Sequence, residues 1–189
     1  GEPLVVTKAE GHIIREFNGK PAWEEFTRRL GLEPSVNCGD TIPIGALAEK
    51  LSPEQAKEYG NDHILRVVTS RDGNDMHYST EIAEGTPMWL TKRDEPLIFS
   101  EMERMVGEIR ARMNGRSPVA VFHADCLARG RFLFDRIIKE ELVGKMQFPF
   151  FENGTCPPWL GMYGFGEFAR LGNQNEYHNY TTALYVMYR

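Results

Sequence analysis

The 189-residue sequence contains only three cysteines, Cys38, Cys126 and Cys156, and no Cys-x-x-Cys pair. An odd number, widely spaced, signals neither a disulfide framework nor a structural zinc site. A reducing, intracellular and cytoplasmic setting is therefore expected, with no metal and no cofactor. No apolar run approaches the ~20 residues of a membrane-spanning helix, so no membrane insertion of this segment is expected. Basic residues are outnumbered, 22 against 27 acidic, for a net charge of -5. They form no patch richer than Arg110, Arg112 and Arg116, whereas a duplex-binding protein shows a basic stripe, so a nucleic-acid partner is not expected. The opening Gly1-Glu2-Pro3 has no initiator methionine and begins no secretory leader, and a segment of a longer protein is expected. The sequon at Asn153-Gly154-Thr155 carries no weight without such a leader.

What is present is globular in kind. Hydrophobic residues make up 41%, charged residues 26% and aromatics 11%, which excludes disordered, collagen-like and coiled-coil chains. The length fits one domain over residues 1–189, able to bury roughly 70% of its unfolded surface without staples.

Residues 4–7 and 12–17 are β-type runs around a Glu10-Gly11 turn and predict a hairpin. Pro21 then opens a helix carrying Trp23, Phe26 and Leu30, which Gly31 stops. Residues 32–51, with Pro34, Gly39, Pro43 and Gly45, read as a long loop. Ser52-Pro53-Glu54-Gln55 is a capping box for a short helix closed by Gly60. Strands follow at 64–70, at 76–82 (Met76, Tyr78, Thr80 and Ile82 alternating) and at 87–93, as an antiparallel meander turned by Asp72-Gly73 and Glu84-Gly85. Ile98, Met102, Met105, Val106, Ile109 and Met113 make one amphipathic helix, and Phe134, Ile137, Ile138, Leu142 and Met146 a second. Residues 117–124 between them read as a buried strand. Terminal strands are expected at 159–165 and 177–188, after an aromatic loop at 148–158. No repeat recurs at a fixed period. The pattern predicts an α+β fold, a largely antiparallel, mixed sheet covered by two long helices.

Three segments carry candidate chemistry. The first is His123-Ala124-Asp125-Cys126-Leu127-Ala128-Arg129-Gly130, where a strand ends and a helix is expected. A helix N-terminus favours anions and lowers a thiol pKa, so Cys126 and Arg129 read as anion-binding or reactive. Equally, Cys126 reads as a buried filler, Asp125 as an N-cap and Arg129 as a surface partner. In the second segment, Gly161-Met162-Tyr163-Gly164-Phe165-Gly166-Glu167, the alternating glycines mark either a close approach to the backbone or a curved strand. The third is His178-Asn179-Tyr180-Thr181, whose side chains bind either a ligand or a neighbouring turn.

These segments, with Val6-Thr7-Lys8-Ala9-Glu10-Gly11 and Phe17-Asn18-Gly19-Lys20-Pro21-Ala22, make the chain resemble the FIST C-terminal domain of sensory proteins. The order is the family's, with Met162 where the family usually has Phe and Asn18 where Asp is common. The resemblance implies an intracellular small-ligand sensor without catalysis, amino acids being the ligands proposed for the family. It also implies a FIST N-terminal half as partner in the full-length protein, joined through residues 1–31, with 63–189 as the main body. Cys126, Arg129, Gly130, Tyr163, Phe165, Glu167 and Asn179 are then the expected ligand-binding residues. An amino acid needs a cation and N–H donors for its carboxylate, which Arg129 supplies, and an anion for its ammonium, which Glu167 supplies. Two rival readings stay open. One is a cysteine-dependent enzyme with Cys126 as nucleophile and His123 or His178 as base, oriented by Asp125, Glu167 or Asn179. The other is a protein-binding module using the aromatics at 148–151 and Trp159.

Overall fold

In a computed structural model that describes residues 1–130 and 136–189, the chain opens with strands β1 (Leu4–Glu10) and β2 (Ile13–Phe17) in an antiparallel pair. Gly11 takes the left-handed conformation the turn between them needs, φ +59°. A short β3 (Lys20–Pro21) leads into α1 (Ala22–Leu30), which ends on Gly31 at φ +77°. Trp23 and Phe26 of α1 are fully buried against Leu4, Val6, Ile14 and Phe17.

The segment read as a long loop holds a helical turn, α2 (Cys38–Thr41), and a buried strand, β4 (Gly45–Lys50). Strand β4 carries Gly-Ala-Leu-Ala, with neither β-branched nor aromatic residues to announce it. Burial explains the choice: a Cβ on Gly45 would stand 2.5 Å from the Thr91 carbonyl oxygen and 2.9 Å from Leu30. The capping box forms as the sequence indicates, with both Ser52–Gln55 hydrogen bonds closing the start of α3 (Pro53–Tyr59).

Strands β5 (His63–Arg66), β6 (Ser70–Asp72), β7 (Asp75–His77) and β8 (Pro87–Lys92) follow. They join an eight-stranded sheet ordered β5-β4-β8-β1-β2-β7-β6, with β3 on β2. The expected meander is corrected here, because β8 inserts between β4 and β1. The alternation of Met76, Tyr78 and Ile82 holds as burial, although the strand itself ends at His77.

The chain divides into two compact units. The first comprises Gly1–Arg93 and Gly166–Asn179. Its last part is a hairpin absent from the sequence reading, β11 (Glu167–Leu171) with β12 (Gln174–His178).

The second unit comprises Asp94–Phe165 and Tyr180–Arg189. Here Asp94 caps α4 (Glu95–Met113) by accepting the Leu97 N–H at 2.9 Å. Strand β9 (Pro118–Cys126) lies between β10 (Trp159–Gly164), parallel to it, and β13 (Thr182–Tyr188), antiparallel. Helix α5 (Arg136–Gln147) and the 3₁₀ turn Phe148–Phe150 pack with α4 onto one face of this sheet, around Met102, Val106, Leu142, Met146 and Phe150. Phe134, expected on the second helix, lies outside the described residues. Two long helices are not confirmed: α4 has 19 residues, and α5 over the described residues has 12. The fold is α+β with mostly antiparallel sheets. Among the described residues no helix is long and apolar enough to cross a membrane.

Candidate functional site

Alternation along β9 turns Val121, His123 and Asp125 to the helix-covered face of the sheet, and all three are buried. In register, His123 stands beside Gly161 and Leu184, and Asp125 beside Tyr163 and Thr182. Above these rows lies a cavity of about 280 Å³ bounded by His123, Asp125, Trp159, Gly161 and Tyr163 of the sheet, Met162 at its rim, and Lys139 and Val143 of α5. Lys139 and Val143 are four residues apart and so share a helix face. Gly161 makes room for the cavity, since a Cβ there would meet nothing nearer than His123, 3.9 Å away.

The polar end is built around one carboxylate. Asp125 accepts from Arg129 Nη1 at 3.2 Å and, on its other oxygen, from Lys139 Nζ. The backbone brings Arg129 back: the Gly130 N–H donates to the Cys126 carbonyl at 2.8 Å, and Cys126 and Leu127 donate to Thr181 and Gly164. Residues 127–130 form a turn directly after β9, and the start of the helix expected here lies outside the described residues. Gly130 is required, since a Cβ would run into Asp125 Oδ2, Tyr163 and Lys139 Nζ. Among the described residues two cations, Arg129 and Lys139, share this one carboxylate, and Lys139 Nζ also overlies the Tyr163 ring at 5.6 Å.

His123 places Nε2 2.9 Å from Thr182 Oγ1 and meets Trp159 edge-on at 6.2 Å. Burial pushes its pKa down, and Lys139 and Arg129 push the same way against the pull of Asp125. At neutral pH the imidazole is uncharged and presents one ring nitrogen as donor and one as acceptor. The Trp159 Nε1–H is buried with no hydrogen-bond partner among the described residues. Such a donor costs about 1–3 kcal/mol unless something accepts from it.

Of the expected binding residues, Cys126, Arg129, Gly130 and Tyr163 come together in this unit. Tyr163 lines the cavity; Arg129 is committed to Asp125, and Gly130 permits their approach. Cys126 is buried, an odd number of residues from His123 on one strand and hence on the opposite face. Phe165 follows β10 and is 85% exposed. Glu167 and Asn179 belong to the first unit. Glu167 pairs with His178 in the β11–β12 ladder. The Asn179 side-chain oxygen accepts the Val67 N–H at 3.0 Å, and its nitrogen donates to the Tyr177 hydroxyl at 3.2 Å, which is turn and strand stitching. Lys139 and Trp159 also line the cavity and were not among the expected ligand-binding residues. The only available signal for Lys139 was its spacing from Val143 beside the apolar stripe of α5, and that pattern reads as a solvated flank. Among the described residues no three His, Cys, Asp or Glu side chains cluster as a metal site.

Residues 22–170 match the FIST C domain. The chain belongs to the FIST C domain family. That family is associated with sensory signal transduction. This FIST C chain is also similar to an uncharacterized protein of Mycobacterium bovis (strain ATCC BAA-935 / AF2122/97), 25% identical over 196 aligned positions that cover 97% of the chain and 46% of the relative. An uncharacterized protein of Mycobacterium tuberculosis (strain ATCC 25618 / H37Rv) is likewise 25% identical over 97% of the chain and 47% of its own length. The chain thus spans about half the length of these relatives. No solved structure matches it.

Proposed function

We propose that this FIST C chain is the ligand-binding part of a sensory protein and that the cavity over β9 takes a small carboxylate, in the first place an amino acid. The observation that carries the reading is the placement of Lys139 and Asp125 together at the polar end of an otherwise apolar cavity of about 280 Å³. Both Lys139 and Arg129 bond Asp125, and Lys139 is taken as the cation for the ligand's carboxylate because it lines the cavity and Arg129 does not. Asp125 and the acceptor nitrogen of His123 receive the ammonium, the Trp159 Nε1–H gives a further donor, and Tyr163 and Val143 wall the side chain. This reading does not use Glu167 and Asn179, which belong to the first unit, and invokes no catalytic step. A FIST N-terminal half is the proposed partner that passes the signal to an output.

Thermal unfolding with each of the twenty amino acids and simple carboxylates tests this. A ligand at ~100 times its Kd stabilises by about 2.7 kcal/mol. One chemical class is expected to raise the Tm of the native chain and to lose that effect in Lys139→Met. A full set of null shifts, or shifts indifferent to Lys139→Met, counts against the site.

A further inference from the structure

Among the described residues of the second unit, helices cover only one face of its sheet. The helices α4 and α5 pack on the side of Trp159, Leu184 and Val186. On the other side, the register sets Leu160, Phe122 and Tyr185 in one row across β10, β9 and β13, and Met162, Ala124 and Ala183 in the row beside it. Phe122 is 45% exposed, Leu160 64%, Met162 67%, Tyr185 68% and Met187, two residues along β13, 46%. A groove of about 450 Å³ runs between these rows.

We propose that this bare sheet face is a homodimer interface, on which a second copy of the same chain packs face to face about a two-fold axis. Three features select a second copy as the occupant. The face is self-complementary: an axis running across the strands between the two rows lays one copy's row of large side chains over the other's row holding two alanines, so Phe122 sits over Ala124 and Tyr185 over Ala183. Such reciprocal contact is what an isologous interface requires. The two rows carry no charged residue, so the copies meet without opposed like charges, although the chain's net charge is -5. The area is also sufficient. The five large side chains present roughly 600 Å², the top of the range for the largest patch on a monomer. Counted on both copies this approaches ~1,200 Å², the lower bound of a standard stable interface. Two sheets packed about 10 Å apart would then bury the rows as a sandwich core.

Sedimentation of the full 189-residue chain across a range from ~2 to ~200 μM, near the working range of interfaces this size, tests the proposal. The expected result is a mass rising with concentration from 21.6 kDa toward twice that value. Tyr185→Lys and Leu160→Glu, on opposite edge strands and both already exposed, are each expected to weaken association at least tenfold while leaving far-UV circular dichroism unchanged. A chain that stays monomeric at the highest concentration overturns the proposal. So does a dimer that both variants leave intact, since the contact then lies elsewhere.

Discussion

Lys139 of α5 donates to the Oδ2 of buried Asp125, the last inward-facing residue of β9, and this partly buried pair sits at the polar end of the cavity. Arg129 holds the other oxygen at 3.2 Å. Removing the shared carboxylate takes from two cations their ion-pair partner among the described residues. Asp125→Ala is therefore expected to cost roughly 3 kcal/mol or more. Lys139→Met leaves the Arg129 pair in place and is expected to cost less. Urea unfolding of the two variants against the native chain measures the difference, and equal stabilities would refute the shared-carboxylate account.

Stability should fall on mild acidification. His123 and His178 both have their pKa pushed below the ordinary 6.5, in each case first by burial. Arg66 adds to the depression at His178, and Glu176 opposes it. A base whose pKa is lowered on folding binds more protons when unfolded, so stability rises with pH through this range. The contribution is complete above about 6.5 and is lost as pH drops below that value. Neither ring nitrogen of His178 has a hydrogen-bond partner among the described residues, and its ring packs 5.1 Å from that of Tyr59. His178→Phe is thus expected to keep full stability at pH 7.5 and to flatten the decline between pH 6.5 and 5. Urea midpoints at several pH values check this; a variant that falls as steeply as the native chain contradicts it.

Gly45 is fixed by its neighbours rather than by its backbone angles. Gly45→Ala drives a methyl against the Thr91 carbonyl at 2.5 Å, a backbone atom in the paired strand β8. The expected cost is about 1–3 kcal/mol, as for other overpacked sites. Hydrogen exchange at the β4–β8 amides should show the weakened pairing directly; unchanged protection would argue against it.

The same strand shows where sequence reading stopped. The opening hairpin, α1, α3 and α4 were legible because turn glycines, Pro21, the capping box and a 3.6-residue stripe are local signals. Strand β4 was not, since Gly45-Ala46-Leu47-Ala48 earns its conformation from burial between β5 and β8. The β11–β12 hairpin was hidden by polar residues such as Arg170, Gln174, Asn175 and Glu176, which carry no alternation because much of the hairpin is exposed. Around the cavity, Asp125, Arg129 and Gly130 stood out in the sequence as one segment, but the ion pair between Arg129 and Asp125 did not, since Asp125 reads there as an N-cap. The glycine alternation led to Tyr163 and, at Gly161, to the opening of the cavity. Lys139 could not be found, because a lysine flanking an apolar stripe looks the same whether it faces water or a buried carboxylate.

A second charge centre stabilises the first unit. Glu25 of α1 accepts from Arg28 Nη2 at 2.5 Å and from Arg29 Nε at 3.1 Å. The Arg28 hydrogen bonds hold its pKa down near 2 against the effect of burial, with help from Arg29 and Lys20. An acid with a lowered pKa stabilises the fold above its unfolded value of 4.5, and this is lost as pH falls toward 2. Because Arg28 is well exposed, the contribution is screened. Glu25→Gln is expected to cost on the order of 1–2 kcal/mol at pH 7. The deficit should shrink below pH 4.5 in urea titrations, and a constant deficit would contradict the electrostatic origin.

The central claim is that Lys139 holds a small carboxylate in the cavity beside Trp159. Of the three tryptophans, Trp23, Trp89 and Trp159, Trp159 is the one lining that cavity. The direct measurement is a fluorescence titration of the native chain with amino acids and small carboxylates, repeated in Lys139→Met and Trp159→Phe. The account predicts a saturable change for one chemical class in the native chain. That change should be abolished in Lys139→Met, and in Trp159→Phe it should be absent because the reporter is gone. A flat titration throughout, or a change that survives both substitutions, would place ligand recognition outside this cavity.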